Sequence, residues 1–306
     1  MHVAVCIVGF RNLHDITECL AALAVSTHTD FEVVICENGG PEAFAALVAA
    51  VPQRLAGGQP VRLIDARSNL GYAGGVNLCM AATPEADAWW VLNPDAVPYP
   101  EALERLSARL AKGGCAAVGG TIHDASGHVR SRGGVWNAWL ARAVSLDDAL
   151  TLDDPLGAVA AQERLNYISG ASMLVGREFL ERVGPMREDY FLYCEEVEWC
   201  LRGVQAGLTF GIAPEAYVLH DQGTSTGSAL DVRDRGRMPV YLDERNKVLV
   251  TRDRYPGRLV VAASASFALL FLRFGRRGAW AQLGYALSGW WAGVRDERGP
   301  PPWISV

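Results

Sequence analysis

Short β-forming runs alternate with helical patterns over the first 120 residues, and that alternation limits the chain to very few folds. Residues 3–8, 31–36, 61–64, 89–92 and 115–118 are brief, mostly apolar and rich in β-branched and aromatic side chains. Such runs are the signature of strands covered on both faces. Between them, 15–25, 41–51, 74–82 and 100–111 carry apolar residues at helical spacing, and Pro41 and Pro100 stand where proline favours a helix start. Strand, helix, strand in repetition predicts right-handed crossovers and a mainly parallel sheet with helices on both sides.

Ligands of such sheets gather at the carboxyl ends of the strands. The residues there are Asn12, then Glu37-Asn38-Gly39-Gly40, then Asn69 to Gly75, then Asn93-Pro94-Asp95. Ordinary turn chemistry accounts for any one of them, but less well for four in succession. A rim of acids, amides and glycines suits a hydroxyl-rich ligand better than a fatty one. No Gly-x-Gly-x-x-Gly follows the first run and no Gly-Lys-Ser/Thr occurs, which argues against dinucleotide oxidoreductases and P-loop enzymes.

From about residue 121 to 166 the character changes. Gly127, Gly133 and Gly134 suggest short antiparallel segments, and Asp147, Asp148, Asp153 and Asp154 read as a solvated loop rather than a cation site. A strand is predicted over 168–175, with small residues at its start where a ligand or backbone can approach, then a helix over 177–183. The next segment, Tyr190-Phe191-Leu192-Tyr193-Cys194-Glu195-Glu196-Val197-Glu198-Trp199-Cys200-Leu201-Arg202, sets three carboxylates beside bulky apolar residues. Such a cluster needs a metal, an arginine or a reacting proton to compensate it, and is the candidate active site. Glu198 and Arg202, four apart, suit a plain ion pair.

The net charge of −6 argues against general nucleic-acid binding. Residues 233–298 nevertheless hold 13 Lys and Arg against 6 Asp and Glu, a basic module on an acidic body. Within it, residues 259–272 and 279–294 are uncharged and are separated by Arg273, Arg276 and Arg277. Neither run reaches the roughly twenty residues of a spanning helix. Apolar runs with Trp280, Trp290 and Trp291 flanked by arginines fit a helix pair lying in a headgroup layer; packing on the body or on a partner subunit is the alternative. Seven cysteines without a Cys-x-x-Cys pair read as reduced thiols. The first residues read as a buried strand rather than a signal peptide, so the body is expected in the cytoplasm, peripheral at the inner face of the cell membrane.

Taken together, these segments resemble family 2 glycosyltransferases of the GT-A fold, and most closely the rhamnosyltransferase-like bacterial members. The similarity runs from Val3 to Pro256 and rests on an ordered set. Its members are the opening strand, Cys36-Glu37-Asn38-Gly39, Asn69-Leu70-Gly71-Tyr72-Ala73-Gly74-Gly75-Val76-Asn77, Leu92-Asn93-Pro94-Asp95-Ala96 and the acidic segment; Leu219-His220 with Ser225 and Glu244-Arg245-Asn246 are weaker. The resemblance implies an α/β, Rossmann-like, mostly parallel sheet flanked by helices over 1–256. About 1–120 would be the nucleotide-binding half and about 121–256 the acceptor half, with a helical tail over 257–306.

It also implies roles. Glu37 stands where the family has an Asp that binds the pyrimidine, with Asn38 beside it, and Asn69, Gly71 and Gly74 would bring backbone close to the nucleotide. A helix beginning at Gly74 would offer N–H groups to phosphate. Asp95 would be the main ligand of Mg²⁺ or Mn²⁺, with Asn93 in place of the usual second acid. His220 is either a further ligand or the cap of a strand end. Glu196, or Glu195 in its place, would be the general base of an inverting displacement. Trp199 and Arg245 are candidates for the acceptor side. The implied donor is dTDP-rhamnose or a UDP-sugar, and the implied acceptor is a glycan or lipid-linked hydroxyl in polysaccharide biosynthesis. The substitutions at Glu37, Asn93 and Glu196 leave a lapsed nucleotide-sugar-binding subunit as the alternative, and a sugar nucleotidyltransferase behind it.

Overall fold

The computed structural model describes residues 1–146, 164–220 and 231–304. The acidic loop residues Asp147, Asp148, Asp153 and Asp154, and Ser225, lie outside the described residues. The predicted alternation is realised as β1 (Val3–Gly9), α1 (Leu13–Leu23), β2 (Phe31–Glu37), α2 (Pro41–Ala50), β3 (Val61–Asp65), α3 (Gly71–Ala81), β4 (Ala88–Leu92), β5 (Val97–Pro98), α4 (Ala102–Ala111) and β6 (Ala117–His123). Then come β7 (Val129–Ser131), β8 (Gly134–Asn137), β9 (Arg142–Ser145), β10 (Ser172–Gly176), α5 (Arg177–Val183), α6 (Glu195–Gln205) and β11 (Phe210–Leu219).

One sheet runs in the order β3-β2-β1-β4-β10-β6-β11-β5, with β7 on β6. Strands β3, β2, β1 and β4 are parallel, and β10 enters antiparallel to both β4 and β6. All residues of β1 and β4 are buried, as their unbroken apolar runs predict. Successive side chains feed opposite faces. Trp89 joins a core with Cys6, Met173 and Trp199, while its neighbour Trp90 joins a second core with Ile7, Leu103 and Leu174. Each indole N–H is satisfied, Trp89 donating to Thr83 Oγ1 and Trp90 to Ser172 Oγ, both at 3.0 Å.

Three predicted boundaries move for identifiable reasons. The third helix begins at Gly71 rather than Gly74, because Gly71 takes φ = 73° and its N–H donates to Asn69 Oδ1 at 3.0 Å. The run at 115–118 becomes the longer β6, whose Gly120 lies so close to β11 that a Cβ there would sit 2.3 Å from the Ala216 carbonyl oxygen. The strand predicted over 168–175 is confined to β10, and residues 170 and 171 form a turn before it.

The C-terminal part forms α7 (Arg237–Arg254), α8 (Leu259–Arg273) and α9 (Trp280–Val294). With its flanking 3₁₀ turns, α8 makes a helical stretch of 22 residues, Pro256–Arg277, in which an 18-residue window has mean hydropathy 1.6. By length and composition it is long enough to cross a membrane, which corrects the expectation from the charge-free run alone, since that run omits the flanking turns. Its buried residues, Ala262, Ser266 and Leu270, face the body. Val260, Val261, Phe267, Phe271 and Leu272 form an exposed stripe, continued by the contact of Phe267 with Trp290 on α9 at 4.9 Å.

Helix α9 docks on α7 backbone to backbone. A Cβ at Gly289 would lie 2.1 Å from the Tyr241 carbonyl oxygen, and one at Gly293 would lie 2.6 Å from that of Arg245. Gly289→Ala should therefore lower stability by about 1–3 kcal/mol through overpacking that backbone cannot relieve. Gly284→Ala, on the same helix with nothing within 4 Å of the new methyl, should raise it by about 0.5–1 kcal/mol. Thermal melts of the two variants beside the parent chain decide the point.

Candidate active site

The turn that carries the acidic segment is strained and heavily supported. Phe191, Tyr193 and Cys194 all take positive φ, at 69°, 73° and 66°, each costing about 1–3 kcal/mol for a residue with a side chain. Asn246, fully buried on α7, offsets this by donating from Nδ2 to the carbonyls of Tyr190, Leu192 and Tyr193 at 3.0, 2.8 and 2.7 Å. From the other side, the Tyr72 N–H donates to the Phe191 carbonyl at 2.8 Å. Gly71 is pressed so close that a Cβ would meet that oxygen at 2.2 Å. The chain leaves Cys194 in the left-handed region and enters α6 at Glu195, which places Glu195 and Glu196 in its first turn.

The three clustered acids separate there. Glu198 is fully buried and paired with Arg202 at 3.0 Å and Arg254 at 3.5 Å, the ion pair its spacing predicts. Glu195 is buried with Oε2 unbonded; burial, then the neighbouring Glu196, pushes its carboxyl well above the ordinary range. Burial raises Glu196 to about 6, with backbone N–H groups pulling it partly back and Asp243 adding to the rise. Gly170 makes room for it, since a Cβ there would lie 3.3 Å from Glu196 Cγ.

A second polar chain closes on Asp95. Tyr72 Oη lies 2.9 Å from both Asn93 Oδ1 and the Gly170 carbonyl oxygen. Asn93 Nδ2 faces His220 Nε2 at 3.2 Å, and that same nitrogen faces Asp95 Oδ1 at 3.1 Å. An amide N–H asks His220 Nε2 for a lone pair while a carboxylate asks it for a proton. A divalent cation between Asp95 Oδ1 and His220 Nε2 would take the place of the proton the carboxylate asks for, so this donor pair can accept such an ion. Among the described residues no group of three or more His, Cys, Asp and Glu converges as a metal site. The remaining ligands would have to be substrate oxygens and water.

Both chains open into one cavity of about 480 Å³. Asn38, Asn69, Gly71, Asn93, Asp95, Glu195, Glu196 and His220 line it, so residues spread over 183 positions of sequence are brought together. Others singled out from sequence lie elsewhere. Glu37 sits behind the wall, 2% exposed, accepting from the N–H groups of Gly39 and Arg11 at 2.6 and 3.1 Å. Gly74 is inside α3 beside Leu70 and Glu188 rather than at a helix start.

The two acceptor-side candidates are corrected. Trp199 is fully buried edge-on against Phe179 at 4.8 Å and donates to the Gly184 carbonyl, because it falls on the core face of α6. Arg245 is 1% exposed and is spent on the carbonyls of Tyr190 and Gly299 and on Asn246 Oδ1. In their place the cavity is walled by C-terminal residues the sequence reading did not single out: Arg235, Met238, Pro239, Val240, Asp243, Arg273, Phe274 and Ile304. The available signal was Arg273, a cation ending an otherwise uncharged run. Chemically, the cavity offers amides and glycines at the sheet end, a two-donor cation position, and a carboxyl poised to take a proton near neutral pH.

Comparison with known proteins points the same way. The family model described as Glycosyl transferase family 2 matches residues 4–184. An N-acetylglucosaminyl-diphospho-decaprenol L-rhamnosyltransferase of Mycobacterium tuberculosis is 28% identical over 230 residues, 68% of this chain and 72% of the relative. A low-salt glycan biosynthesis hexosyltransferase of Haloferax volcanii is 24% identical over 194 residues, 62% of this chain and 60% of the relative. Among solved structures, the Pyrobaculum calidifontis mannosyltransferase in complex with GDP-Man and Mn²⁺ superposes with a TM-score of 0.58 at 14% identity, covering 97% of this chain and 88% of that one. That likeness is one of fold.

Two outcomes are expected from the site's geometry. Asn246→Leu, which strips a buried donor from three carbonyls, should lower stability by about 1–3 kcal/mol in urea unfolding. Glu196 binds its proton more tightly folded, at about 6, than at its ordinary 4.5, so its contribution to stability is present below pH 4.5 and is lost as pH rises through 6. Glu196→Gln should accordingly gain on the order of 1–2 kcal/mol over the parent at pH 8 and nothing at pH 4. Melts at the two pH values read this directly.

Proposed function

Because this chain belongs to glycosyl transferase family 2, we propose that it transfers rhamnose from dTDP-rhamnose to a hydroxyl of a lipid-linked glycan precursor, with inversion. It is a glycosyltransferase that uses a nucleotide-sugar donor, and its sheet is of the GT-A type. The sugar and the acceptor class follow the mycobacterial relative's name; a UDP-sugar fits the same rim of amides. The observation that carries the reading is that Glu196, with its carboxyl raised to about 6, lines the same cavity as Asp95 and His220.

In this reading the donor nucleotide lies along Asn12, Asn38 and Asn69, at the carboxyl ends of the strands. Asp95 and His220 would hold Mg²⁺ or Mn²⁺, which supplies Lewis-acid neutralisation of the departing diphosphate. Tyr72 holds Asn93 beside the imidazole. Glu196 takes the proton of the acceptor hydroxyl as its oxygen attacks the anomeric carbon from the face opposite the diphosphate. Burial and then the neighbouring Glu196 raise the Glu195 carboxyl, which favours placing the charge of the pair on Glu196. The exposed stripe of α8, with Trp280 and Trp291 on α9 and with Arg258, Arg276 and Arg277 nearby, supports residence at the inner face of the cell membrane.

The test joins binding to turnover. Nucleoside diphosphates and dTDP- or UDP-sugars should raise the melting temperature, and more so with Mn²⁺ or Mg²⁺. Asp95→Ala should remove the metal-dependent part. Glu196→Gln should retain the donor-induced shift while transfer falls about 10²–10⁴-fold. Unchanged transfer in Glu196→Gln would reject that residue as the base, and a folded chain that no nucleotide stabilises would reject the function.

A further inference from the structure

A carboxylate that the mechanism leaves unused, Asp243, lines the cavity together with Glu195 and Glu196. It stands on α7 three residues before Asn246, and so on the same face of that helix. One rigid element thus carries both the amide that fixes the turn ahead of Glu196 and this further acid. The Cys194 thiol, where α6 begins, lies within reach of both acids: burial raises it first, and the charges of Asp243 and Glu196 follow. Asp243 is held still. Lys247 Nζ donates to its Oδ2 at 2.6 Å, and Arg273 Nη1 lies 3.4 Å from that same oxygen. The same two cations donate to Glu244 Oε1 at 3.0 and 2.6 Å, so two acids answer two bases.

Burial works against the charge of Asp243, but Lys247 and Arg273 outweigh it and hold the carboxyl below its ordinary range. Both cations bond Oδ2, which leaves Oδ1 for a ligand, and the side chain keeps 29% of its surface exposed. Glu244, with the same partners, is 5% exposed and is not part of the wall. An ionised carboxylate only accepts hydrogen bonds, and Glu196 must be ionised to act as a base. A ligand that meets both acids therefore brings two donors close together. A second cation does not suit the place, since among the described residues no group of three or more His, Cys, Asp and Glu converges as a metal site. Two hydroxyls on adjacent ring carbons do suit it, and Met238 and Ile304 in the same wall can take the C–H face of the ring.

We infer that Asp243 Oδ1 accepts a hydrogen bond from a second hydroxyl of the acceptor sugar, on the carbon next to the one whose hydroxyl Glu196 deprotonates, so that the site selects a vicinal diol. The inference rests on the transferase reading and adds to it the functional group that the acceptor presents. Holding one hydroxyl on a carboxylate that cannot swing fixes the direction of its neighbour, which is the orientation an attacking oxygen needs. The charge of Asp243 acts on the same step from behind. Burial raises the Glu196 carboxyl, backbone N–H groups pull it partly back, and Asp243 adds to the rise.

The experiment follows two fates of one donor at pH 8, where Glu196, at about 6, is ionised. The full chain is given Mn²⁺ and dTDP-rhamnose or a UDP-sugar, whichever raises its melting temperature more. Release of the sugar to water is measured beside transfer to octyl glycosides of glucose, galactose and N-acetylglucosamine, then to the monodeoxy analogues of the one accepted. Asp243→Asn should lower kcat/KM for the glycoside about tenfold or more, chiefly through KM. Release to water should stay within about threefold. Removing the contacted hydroxyl should weaken transfer by the parent about tenfold and by Asp243→Asn no further, since both changes break one bond. Glu244→Gln, which disturbs the same cations away from the cavity, should leave transfer within about twofold. Equal losses of release and transfer in Asp243→Asn would overturn the assignment, because Asp243 would then act only through Glu196 or the fold. So would unimpaired transfer in that variant, deoxy losses that add to its own, or release without transfer to any glycoside. Where Asp243→Asn does not fold, the parent's deoxy series decides: no loss from either hydroxyl beside the reacting one overturns the inference. A folded parent that neither releases nor transfers the sugar rejects the transferase reading itself.

Discussion

The side-chain amide of Asn246 holds the site together. It reaches three successive-turn carbonyls, those of Tyr190, Leu192 and Tyr193, in a segment where three residues with side chains take left-handed φ. Without that donor the segment has no reason to stay strained, and α6 has no reason to begin where it does. With it, two carboxylates are delivered to the cavity and a third, Glu198, is turned inward to Arg202 and Arg254. The conformational cost is met by a helix that lies more than forty residues downstream, so the chemistry of the acidic segment depends on the packing of α7.

That dependence explains why the C-terminal helices belong to the site. Helix α9 locks α7 in place through Gly289 and Gly293, and the final residues return to the same turn. The Gly299 N–H donates to the Asp189 carbonyl at 2.6 Å, and Arg298 bridges Asp189 and Asp253. Asp253 also accepts from the Tyr190 hydroxyl at 2.7 Å. The segment from Glu188 to Cys194 is thus clamped between the sheet and the tail, and Arg235, Asp243 and Arg273 reach the cavity from the clamp itself.

The sheet was legible in the sequence because buried parallel strands announce themselves as unbroken apolar runs, and β1, β2 and β4 are of that kind. The rim after each strand followed from the same rule, which is why Asn38, Asn69 and Asp95 could be placed on one cavity before any geometry was known. Trp199 and Arg245 were misplaced for a common reason. Nearness in sequence to a motif does not tell which face of a helix a side chain takes, and both point into packing rather than into the cavity. The wall made by Arg235, Met238 and Arg273 was hidden because it depends on how α7 and α8 fold back, a contact between elements that no local pattern encodes. The charge-free run 259–272 matched α8 itself but omitted the 3₁₀ turns on either side that extend the helical stretch from Pro256 to Arg277.

The contact of Gly71 with the Phe191 carbonyl has a consequence for exchange of parts between related chains. Position 71 has φ = 73° and no space for a methyl group, and the carbonyl it touches is fixed in turn by the neighbours that Asn246 holds. Three places more than fifty residues apart in the chain therefore behave as one hereditary unit. A crossover that takes the first half from one parent and the second from another keeps its sheet, because strand registers are generic. It keeps its active turn only when the glycine, the left-handed segment and the asparagine descend from parents that share the same fit.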